Sequence, residues 1–260
     1  MNNWLVEKEG HVTRVTLNRA EHLNNFNLET LGELKELSEL VQRDNNCWVV
    51  VIQAAGKHFS TGMDVEVISQ MAEQEEELYR EYLRRAQLCI DEFEKIKQPI
   101  ICKINGFCFG AGIIIAACCD FRLASKKSVF CLPEVKRSIG VIMGTYRVSR
   151  ICGVANTKEM AMLGDRFNGE KALNYGLLTS VHEPAKLDSA VDSLAEKLCN
   201  LPPEAVSLNK QIVDFEYAEY LRRTQDYEID GQFPLLQSED FKESMQAFFE
   251  KRKPNYKGKA

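Results

Sequence analysis

The segment between residues 105 and 112 reads Asn105-Gly106-Phe107-Cys108-Phe109-Gly110-Ala111-Gly112. It follows residues 99–104, which predict a strand, and it leads into residues 110–119, whose small and apolar side chains predict a buried helix. The first N–H groups of a helix have no partner within the helix, so a turn of this kind suits an anion or a developing oxyanion. For one isolated turn, a tight bend and close helix packing are the better explanation of the glycines.

A second glycine-containing turn follows another predicted strand. Residues 57–64 read Lys57-His58-Phe59-Ser60-Thr61-Gly62-Met63-Asp64, and the preceding β-branched run at residues 48–52 predicts a strand buried on both faces. Neither turn has the glycine spacing of a dinucleotide-binding loop or the Lys-Ser/Thr of a phosphate-binding loop. Two such turns in one chain therefore predict a pair of N–H donors that converge on one oxygen.

Outside these turns the pattern alternates between strands and helices. Residues 12–17 alternate with period two, and leucines recur at helical spacing from Leu28 to Val41, with Asn27 as the predicted N-cap. The polar sequence of residues 65–97 predicts a helix. Its acidic run at residues 73–77 is expected to form a solvent-exposed face of that helix. Short strands are predicted at 121–124, 129–132 and 177–182, and helices at 154–163, 169–175, 187–198, 204–211 and 238–252. This alternation predicts an α/β fold.

One boundary divides the predicted fold. The Asn200-Leu201-Pro202-Pro203 segment is the only domain-like break, and everything after it is predicted to be helical. We therefore expect a core at residues 1–199 and a C-terminal helical region at residues 200–260.

Composition excludes several classes of function. The 260 residues include 33 Lys and Arg against 38 Asp and Glu, a net charge of −5, and no local basic stripe, so nucleic acid is not an expected partner. The longest run without a charge, residues 104–119, is too short to span a bilayer, and the amino terminus has no export signal. We expect a cytoplasmic protein without a membrane span.

Cysteine and histidine usage argues against disulfides and metals. The nine Cys lie mostly in apolar segments without a C-x-x-C pair, which is typical of free, buried thiols in a reducing compartment. The four His are scattered, so local spacing predicts no metal site.

Six ordered blocks of the sequence resemble the crotonase, or enoyl-CoA hydratase/isomerase, superfamily. They are Val15-Thr16-Leu17-Asn18-Arg19, residues 59–64, residues 105–112, Ala116-Ala117-Cys118-Cys119-Asp120-Phe121-Arg122-Leu123-Ala124, Leu132-Pro133-Glu134-Val135, and residues 248–256. The resemblance implies an α/β fold with a crotonase-type ββα spiral core and a C-terminal helical region that mediates trimerisation. It also implies a homotrimer or homohexamer.

The resemblance further implies an acyl-CoA thioester substrate and no separate cofactor, because coenzyme A is part of the substrate. The backbone N–H groups of Met63 and Ala111 would form an oxyanion hole for the thioester carbonyl. Residues implied in binding the substrate or its CoA portion are Phe59, Ser60, Gly62, Gly110, Phe248 and Lys251, of which the last two are expected to reach a neighbouring subunit. The variable stretches 65–86 and 137–143 would line the acyl site.

The acid–base groups depart from the hydratase pattern of the family. Hydratases use two glutamates; here Ile114 occupies the position of the first, and Glu134 is the second. One carboxylate opposite an isoleucine is poorly suited to activating water but can move a proton on carbon. The sequence therefore predicts an isomerase in which Glu134, with a pKa raised by apolar neighbours, transfers a proton from C2 to C4.

Other functions remain open on the sequence. The alternatives are a hydratase, hydrolase or decarboxylase that acts on a specialised acyl-CoA, and a non-catalytic CoA-binding scaffold. The loop after Glu134, residues 137–147, is one residue shorter than in the family's hydratases. Its Tyr146 and Arg137 are further candidates for the site, but a core position for Tyr146 and a solvated position for Arg137 are expected more often.

Overall fold

The computed structural model describes residues 1–215 and 217–258. Six strands build the larger sheet: β1 (Trp4–Glu9), β2 (Val12–Leu17), β3 (Val49–Ala54), β4 (Ile100–Ile104), β6 (Phe121–Ser125) and β9 (Ser180–His182). They lie in the order β1-β2-β3-β4-β6-β9; β1 and β2 are antiparallel and all other neighbours are parallel. A second sheet joins β5 (Phe107–Phe109), β7 (Val129–Cys131) and β8 (Phe167–Asn168).

The helices surround these sheets and then extend into the C-terminal region. They are α1 (Leu28–Arg43), α2 (Val65–Ala72), α3 (Glu76–Glu94), α4 (Ala111–Ala117), α5 (Thr145–Leu163), α6 (Gly169–Asn174), α7 (Leu187–Cys199), α8 (Pro203–Asp214), α9 (Tyr217–Gln237) and α10 (Glu239–Phe249). The alternation of strands and helices and the C-terminal helices confirm the predicted α/β fold with a C-terminal helical region.

Strand β3 is buried on both faces, as its β-branched sequence predicts. Val50 and Ile52 belong to the larger core together with α1, α3 and α4. Val49 and Val51 belong to a second core, closed by α7. A parallel strand covered by helices on both sides needs apolar side chains at consecutive positions, which explains the absence of alternation.

Helix α1 begins where its predicted cap lies. Asn27 Oδ1 accepts a hydrogen bond of 2.9 Å from the N–H of Thr30. Leu31, Leu34 and Leu37 are fully buried, whereas Leu40, which the leucine spacing includes, is 56% exposed. The buried stripe is therefore narrower than predicted.

Residues 65–97 form two helices rather than one. Helix α2 ends at Ala72, and α3 begins after Glu75, whose extended backbone makes it the N-cap. Acidic residues close together repel one another within a continuing helix but are favourable in the first turn of a new one. The acidic run at 73–77, predicted to be a helix face, therefore marks the break.

Three strands are not anticipated by the sequence patterns: β1, β5 and β8. Helix α9 lies in the region predicted to be helical, although its bounds were not predicted. Helix α9 packs on α3 and α5, and α10 packs on α9 and on a short 3-10 turn, Glu134–Arg137. The helical region thus folds back over the core. The division at residue 199 stays a prediction, and Glu216, Lys259 and Ala260 of the predicted region lie outside the described residues.

Two further features concern the whole described chain. All nine cysteines are free, as predicted, and all but Cys199 are buried. Within residues 1–215 and 217–258, no helix is long and apolar enough to cross a membrane.

Candidate active site

The two glycine turns meet face to face. The N–H of Ser60 donates to Phe107 O at 2.9 Å, and the N–H of Phe109 donates back to Ser60 O at 3.0 Å. Gly62 has φ +92°, and a Cβ added to it would lie 3.0 Å from Phe109 O and 3.4 Å from the N of Ala111. Only glycine permits both this backbone conformation and this close approach. The structure therefore brings the two turns together, as the sequence predicts.

The N–H groups of Met63 and Ala111 are free for a ligand. The residues flanking Met63 are fixed by pairing with Phe26, whose N–H donates to Gly62 O at 2.9 Å and whose carbonyl accepts from Asp64 N at 2.8 Å. Ala111 is the first residue of α4. Across the described residues, neither of these two N–H groups donates to a protein acceptor, and both residues line the same pocket.

Glu134 lies directly over this junction. It opens the 3-10 turn Glu134–Arg137, and a Cβ added to Gly110 would lie 2.8 Å from Glu134 Oε1. The other oxygen, Oε2, is buried and has no hydrogen-bond partner in the described chain. Burial raises the pKa of Glu134 to about 7, and the nearby charge of Arg137 opposes that rise. A carboxyl group with such a pKa can accept and return a proton at neutral pH.

Ile114 is part of the core. All seven residues of α4 are buried, and Ile114 is fully inaccessible. Among the described residues that line the pocket, Glu134 alone carries a carboxylate. No second acid therefore faces Glu134.

The rest of the pocket is mostly apolar and encloses about 70 Å³. Its side chains come from the two stretches that the sequence predicts: Val65, Ile68, Met71, Tyr79, Tyr82 and Leu83 from the first, and Arg137, Ile139, Ile142 and Met143 from the second. Gln232 is an additional lining residue that sequence reasoning missed, because it belongs to α9.

Side chains of α9 hold the loop that follows Glu134. The N–H of Gly140 donates to Gln232 Oε1 at 2.9 Å. Glu228 accepts from the N–H of Gly144 at 3.0 Å and from that of Thr145 at 2.7 Å. These contacts fix the loop at residues 137–145 as one wall of the pocket.

The predicted CoA-binding residues lie in three different places. Gly62 and Gly110 line the pocket. Phe59 and Ser60 are buried within the turn at residues 57–64, where Ser60 Oγ accepts from the N–H of Gly62 at 3.0 Å. Phe248 is 45% exposed, and Lys251 is exposed beyond the end of α10. The roles of all six residues in CoA binding stay predictions.

Arg137 differs from its expected solvated position. Its Nε atom is buried, and its guanidinium carbon lies 5.0 Å above the ring of Phe248 in the same chain. The cause is α10, which packs against the 3-10 turn and whose Ser244 Oγ donates to Arg137 O at 2.8 Å. In the part of the chain that the structure describes, no group of three or more His, Cys, Asp or Glu side chains could hold a metal ion.

Comparisons with known proteins identify the family of this chain. Residues 7–259 match the sequence profile of the enoyl-CoA hydratase/isomerase family. A short-chain-enoyl-CoA hydratase of Clostridium acetobutylicum is 33% identical over 257 residues, which cover 97% of each chain. A Delta(3,5)-Delta(2,4)-dienoyl-CoA isomerase of Arabidopsis thaliana is 29% identical over 259 residues, which cover 95% of this chain and 93% of the relative.

Among solved structures, an enoyl-CoA hydratase of Mycobacterium avium subsp. paratuberculosis superposes with a TM-score of 0.85 at 27% identity and covers 98% of both chains. Sequence profile, curated relative and fold thus point to one group of proteins. The chain belongs to the enoyl-CoA hydratase/isomerase family and is an enzyme of that family.

Proposed function

We propose that this enzyme is an enoyl-CoA isomerase that moves a C=C bond from the C3 to the C2 position of an acyl-CoA thioester. The observation that carries the proposal is the single carboxylate of the pocket: Glu134 lies over Gly110, and the buried Ile114 occupies the position of the first hydratase glutamate. Transfer of a proton between two carbons needs one group that alternates between base and acid. Addition of water needs groups that also hold and activate the water.

In the proposed reaction the Glu134 carboxylate removes a proton from C2. The electrons of the C–H bond form a C1=C2 bond and the carbonyl electrons move onto the thioester oxygen, which gives a dienolate conjugated with C3=C4. The protonated Glu134 then returns the proton to C4. On protonation at C4, the C1=C2 electrons become the C2=C3 bond and the carbonyl re-forms. No cofactor is required besides the CoA portion of the substrate.

The N–H groups of Met63 and Ala111 would hold the dienolate oxygen. Their backbone is fixed before substrate binds, so the transition state requires no reorganisation of the donors. One such donor lowers the barrier by about 3 kcal/mol in other acyl-transfer enzymes. The raised pKa of Glu134 serves the same cycle, because the group must both accept and release the proton.

Hydration of a 2-enoyl-CoA is the second candidate. The observation that favours it is the similarity to the Clostridium acetobutylicum hydratase. The apolar Ile114 disfavours it, because water would have only one carboxylate to orient it. Membership of the enzyme family disfavours the third possibility, a non-catalytic scaffold.

An assay with both substrates separates the two reactions. We expect the wild type to convert a 3-enoyl-CoA into the 2-enoyl isomer, and Glu134→Gln to lower kcat by about 10²- to 10⁴-fold because the base is lost. The control is Glu196→Gln, which changes an exposed glutamate of α7 and should keep full activity. Efficient hydration of a 2-enoyl-CoA by the wild type, or full isomerase activity in Glu134→Gln, would contradict the proposal.

We also propose that the enzyme works in the cytoplasm as a homotrimer or homohexamer. Helix α8 exposes three large apolar side chains, Leu208, Ile212 and Val213, at 57%, 62% and 71%. Burial of such a surface between subunits would be favourable. Light scattering after size exclusion should give three or six times the monomer mass, and a monomer would contradict this part of the proposal.

A further inference from the structure

Three buried polar atoms without a protein partner belong to residues of this one pocket. They are Tyr82 Oη, Glu134 Oε2 and Arg137 Nε. Buried polar atoms in folded proteins nearly always have a hydrogen-bond partner, and each exception needs a reason. Proton transfer accounts for the free oxygen of Glu134. It does not account for the two donors, Tyr82 and Arg137.

Arg137 is a cation without a carboxylate partner. No carboxylate oxygen of the described chain lies within 4.0 Å of its guanidinium. Its main contact is the ring of Phe248, and burial lowers its pKa. Two more deeply buried arginines have partners for their guanidinium groups: Arg147 meets Asp91 at 2.5 Å and Glu94 at 2.9 Å, and Arg122 donates to main-chain carbonyl oxygens. In the described chain, Arg137 Nε has no such acceptor, and the nearby charge of Glu134 acts on the guanidinium without a contact within 4.0 Å.

Tyr82 supplies a second unpaired donor in the pocket. Burial, and to a smaller extent the charge of Asp64, raises the pKa of Tyr82 to about 12, so its hydroxyl remains protonated. A buried tyrosine hydroxyl usually finds a partner. In the described chain, no acceptor lies within hydrogen-bond distance of the Tyr82 hydroxyl.

The missing acceptor belongs to the acyl part of the ligand rather than to CoA. Both donors line the pocket that contains Met63, Ala111 and Glu134, the residues to which the proposed function assigns the thioester oxygen and the proton transfer. The contents of this pocket therefore lie close to the reacting carbons. The phosphates of CoA are separated from the thioester by the whole pantetheine arm, so they cannot reach the same enclosed space.

We propose that the acyl group of the substrate carries a carboxylate beyond the reacting double bond, and that the Arg137 guanidinium and the Tyr82 hydroxyl bind it. Arginine suits this role because its planar group can donate two parallel hydrogen bonds to a carboxylate. The inference adds a substrate class to the proposed function. It rests on the proposed function only in assuming that the pocket binds an acyl-CoA.

Calorimetric titration with unreactive ligands tests the inference apart from catalysis. The ligands are a saturated acyl-CoA that ends in a carboxylate, a plain saturated acyl-CoA of the same chain length, and CoA alone. We expect the wild type to bind the carboxylated ligand about tenfold more tightly than the plain one, the effect of one charge-assisted hydrogen bond. Arg137→Gln should abolish this ratio, and Tyr82→Phe should reduce it to about threefold.

Two further variants keep the result interpretable. Arg166→Gln removes another arginine that lies over aromatic rings, 5.5 Å from the centre of Phe109 and outside the pocket lining, and it should leave the ratio unchanged. Arg137→Lys keeps the charge and should retain part of the ratio if Arg137→Gln does not fold.

Each other outcome has a defined meaning. Equal affinity of the wild type for the two acyl-CoAs would overturn this inference and leave the proposed function intact. An equal loss of affinity for all three ligands in Arg137→Gln would assign Arg137 to CoA itself and would also overturn it. Failure of the wild type to bind any of the ligands would overturn the proposed function and the inference together.

Discussion

The floor and the roof of the pocket are held by different kinds of hydrogen bond. The floor consists of the two glycine turns, residues 60–63 and 108–111, which pair main chain with main chain. The roof is the loop at residues 137–145, where Gly140, Gly144 and Thr145 donate to side chains of α9 about ninety residues away. Neither β-sheet pairing nor a regular helix orders this loop before α5 begins.

The floor and the roof have different functions in our proposal. The floor carries the N–H groups that the proposed chemistry needs, and their positions depend on backbone conformation alone. The roof carries Arg137, Ile139 and Ile142, which contact the acyl group in our proposal. A roof ordered by side chains can change its shape through substitutions in α9, whereas the floor cannot change without loss of a glycine. We therefore expect floor variants to lower kcat and roof variants to raise KM.

The largest effect is expected from Gly110→Ala in the floor. A Cβ at this position would lie 2.8 Å from Glu134 Oε1, and the backbone has φ +50° and ψ −121°, a conformation that only glycine adopts easily. Displacement of the carboxylate by a fraction of an ångström should lower kcat by about 100-fold. The strained backbone should lower the free energy of unfolding by about 1–3 kcal/mol. Steady-state kinetics and urea denaturation measure the two effects.

A matched glycine variant serves as its control. Gly32 lies inside α1, and a Cβ added there would meet no atom within 4 Å. Gly32→Ala should keep full activity and raise the free energy of unfolding by about 0.5–1 kcal/mol, because alanine favours the helix. Similar losses of activity in both variants would contradict the special role of Gly110.

The pH dependence of activity should report on Glu134. Its pKa is about 7, and the carboxylate is the proposed base, so kcat/KM should fall about tenfold per pH unit below pH 7 and level off above it. A profile measured from about pH 5 to about pH 9 tests this. An inflection near the ordinary carboxyl value of 4.5 would contradict it.

The raised pKa of Glu134 also makes the free energy of unfolding depend on pH, and this free energy falls where activity rises. The folded state prefers protonated Glu134, so its contribution to stability is fully present below pH 4.5 and is lost as the pH rises through about 7. Glu134→Gln should therefore gain stability over the wild type as the pH rises through this window. The gain should reach about 1–3 kcal/mol by urea denaturation at pH 8, and no change in the difference would contradict the raised pKa.

A smaller effect is expected from Glu228→Gln in the roof. The Glu228 carboxylate accepts from both Gly144 and Thr145. A carboxamide has only one acceptor, so one buried N–H would lose its partner, at about 1–3 kcal/mol. We expect KM to rise about threefold or more while kcat changes little. Glu219→Gln, an exposed position of the same helix, is the control. A fall in kcat without a change in KM would contradict the division between floor and roof.

More of the floor than of the roof could be predicted from sequence patterns. The glycine turns, the buried strand β3 and the N-cap at Asn27 depend on residues close together in the chain, and all of them are present in the structure. The bounds of α9, within the region predicted to be helical, were not anticipated, and the contacts of Glu228 and Gln232 were missed. The sequence of α9 carries a proline, Pro234, and glycine at 231, which weaken a helical pattern that tertiary packing restores.

The sequence by itself determined the fold, the two glycine turns, and the presence of one glutamate where hydratases have two. The tertiary structure alone decided that Glu134 lies over Gly110, and that Arg137 and Tyr82 are buried in one pocket without partners. The physical reason is the separation along the chain of the residues that determine each feature. A positive φ or a strand pattern is a property of a few neighbouring residues, whereas the burial and pairing of a side chain depend on α3, α9 and α10, which come from distant parts of the chain.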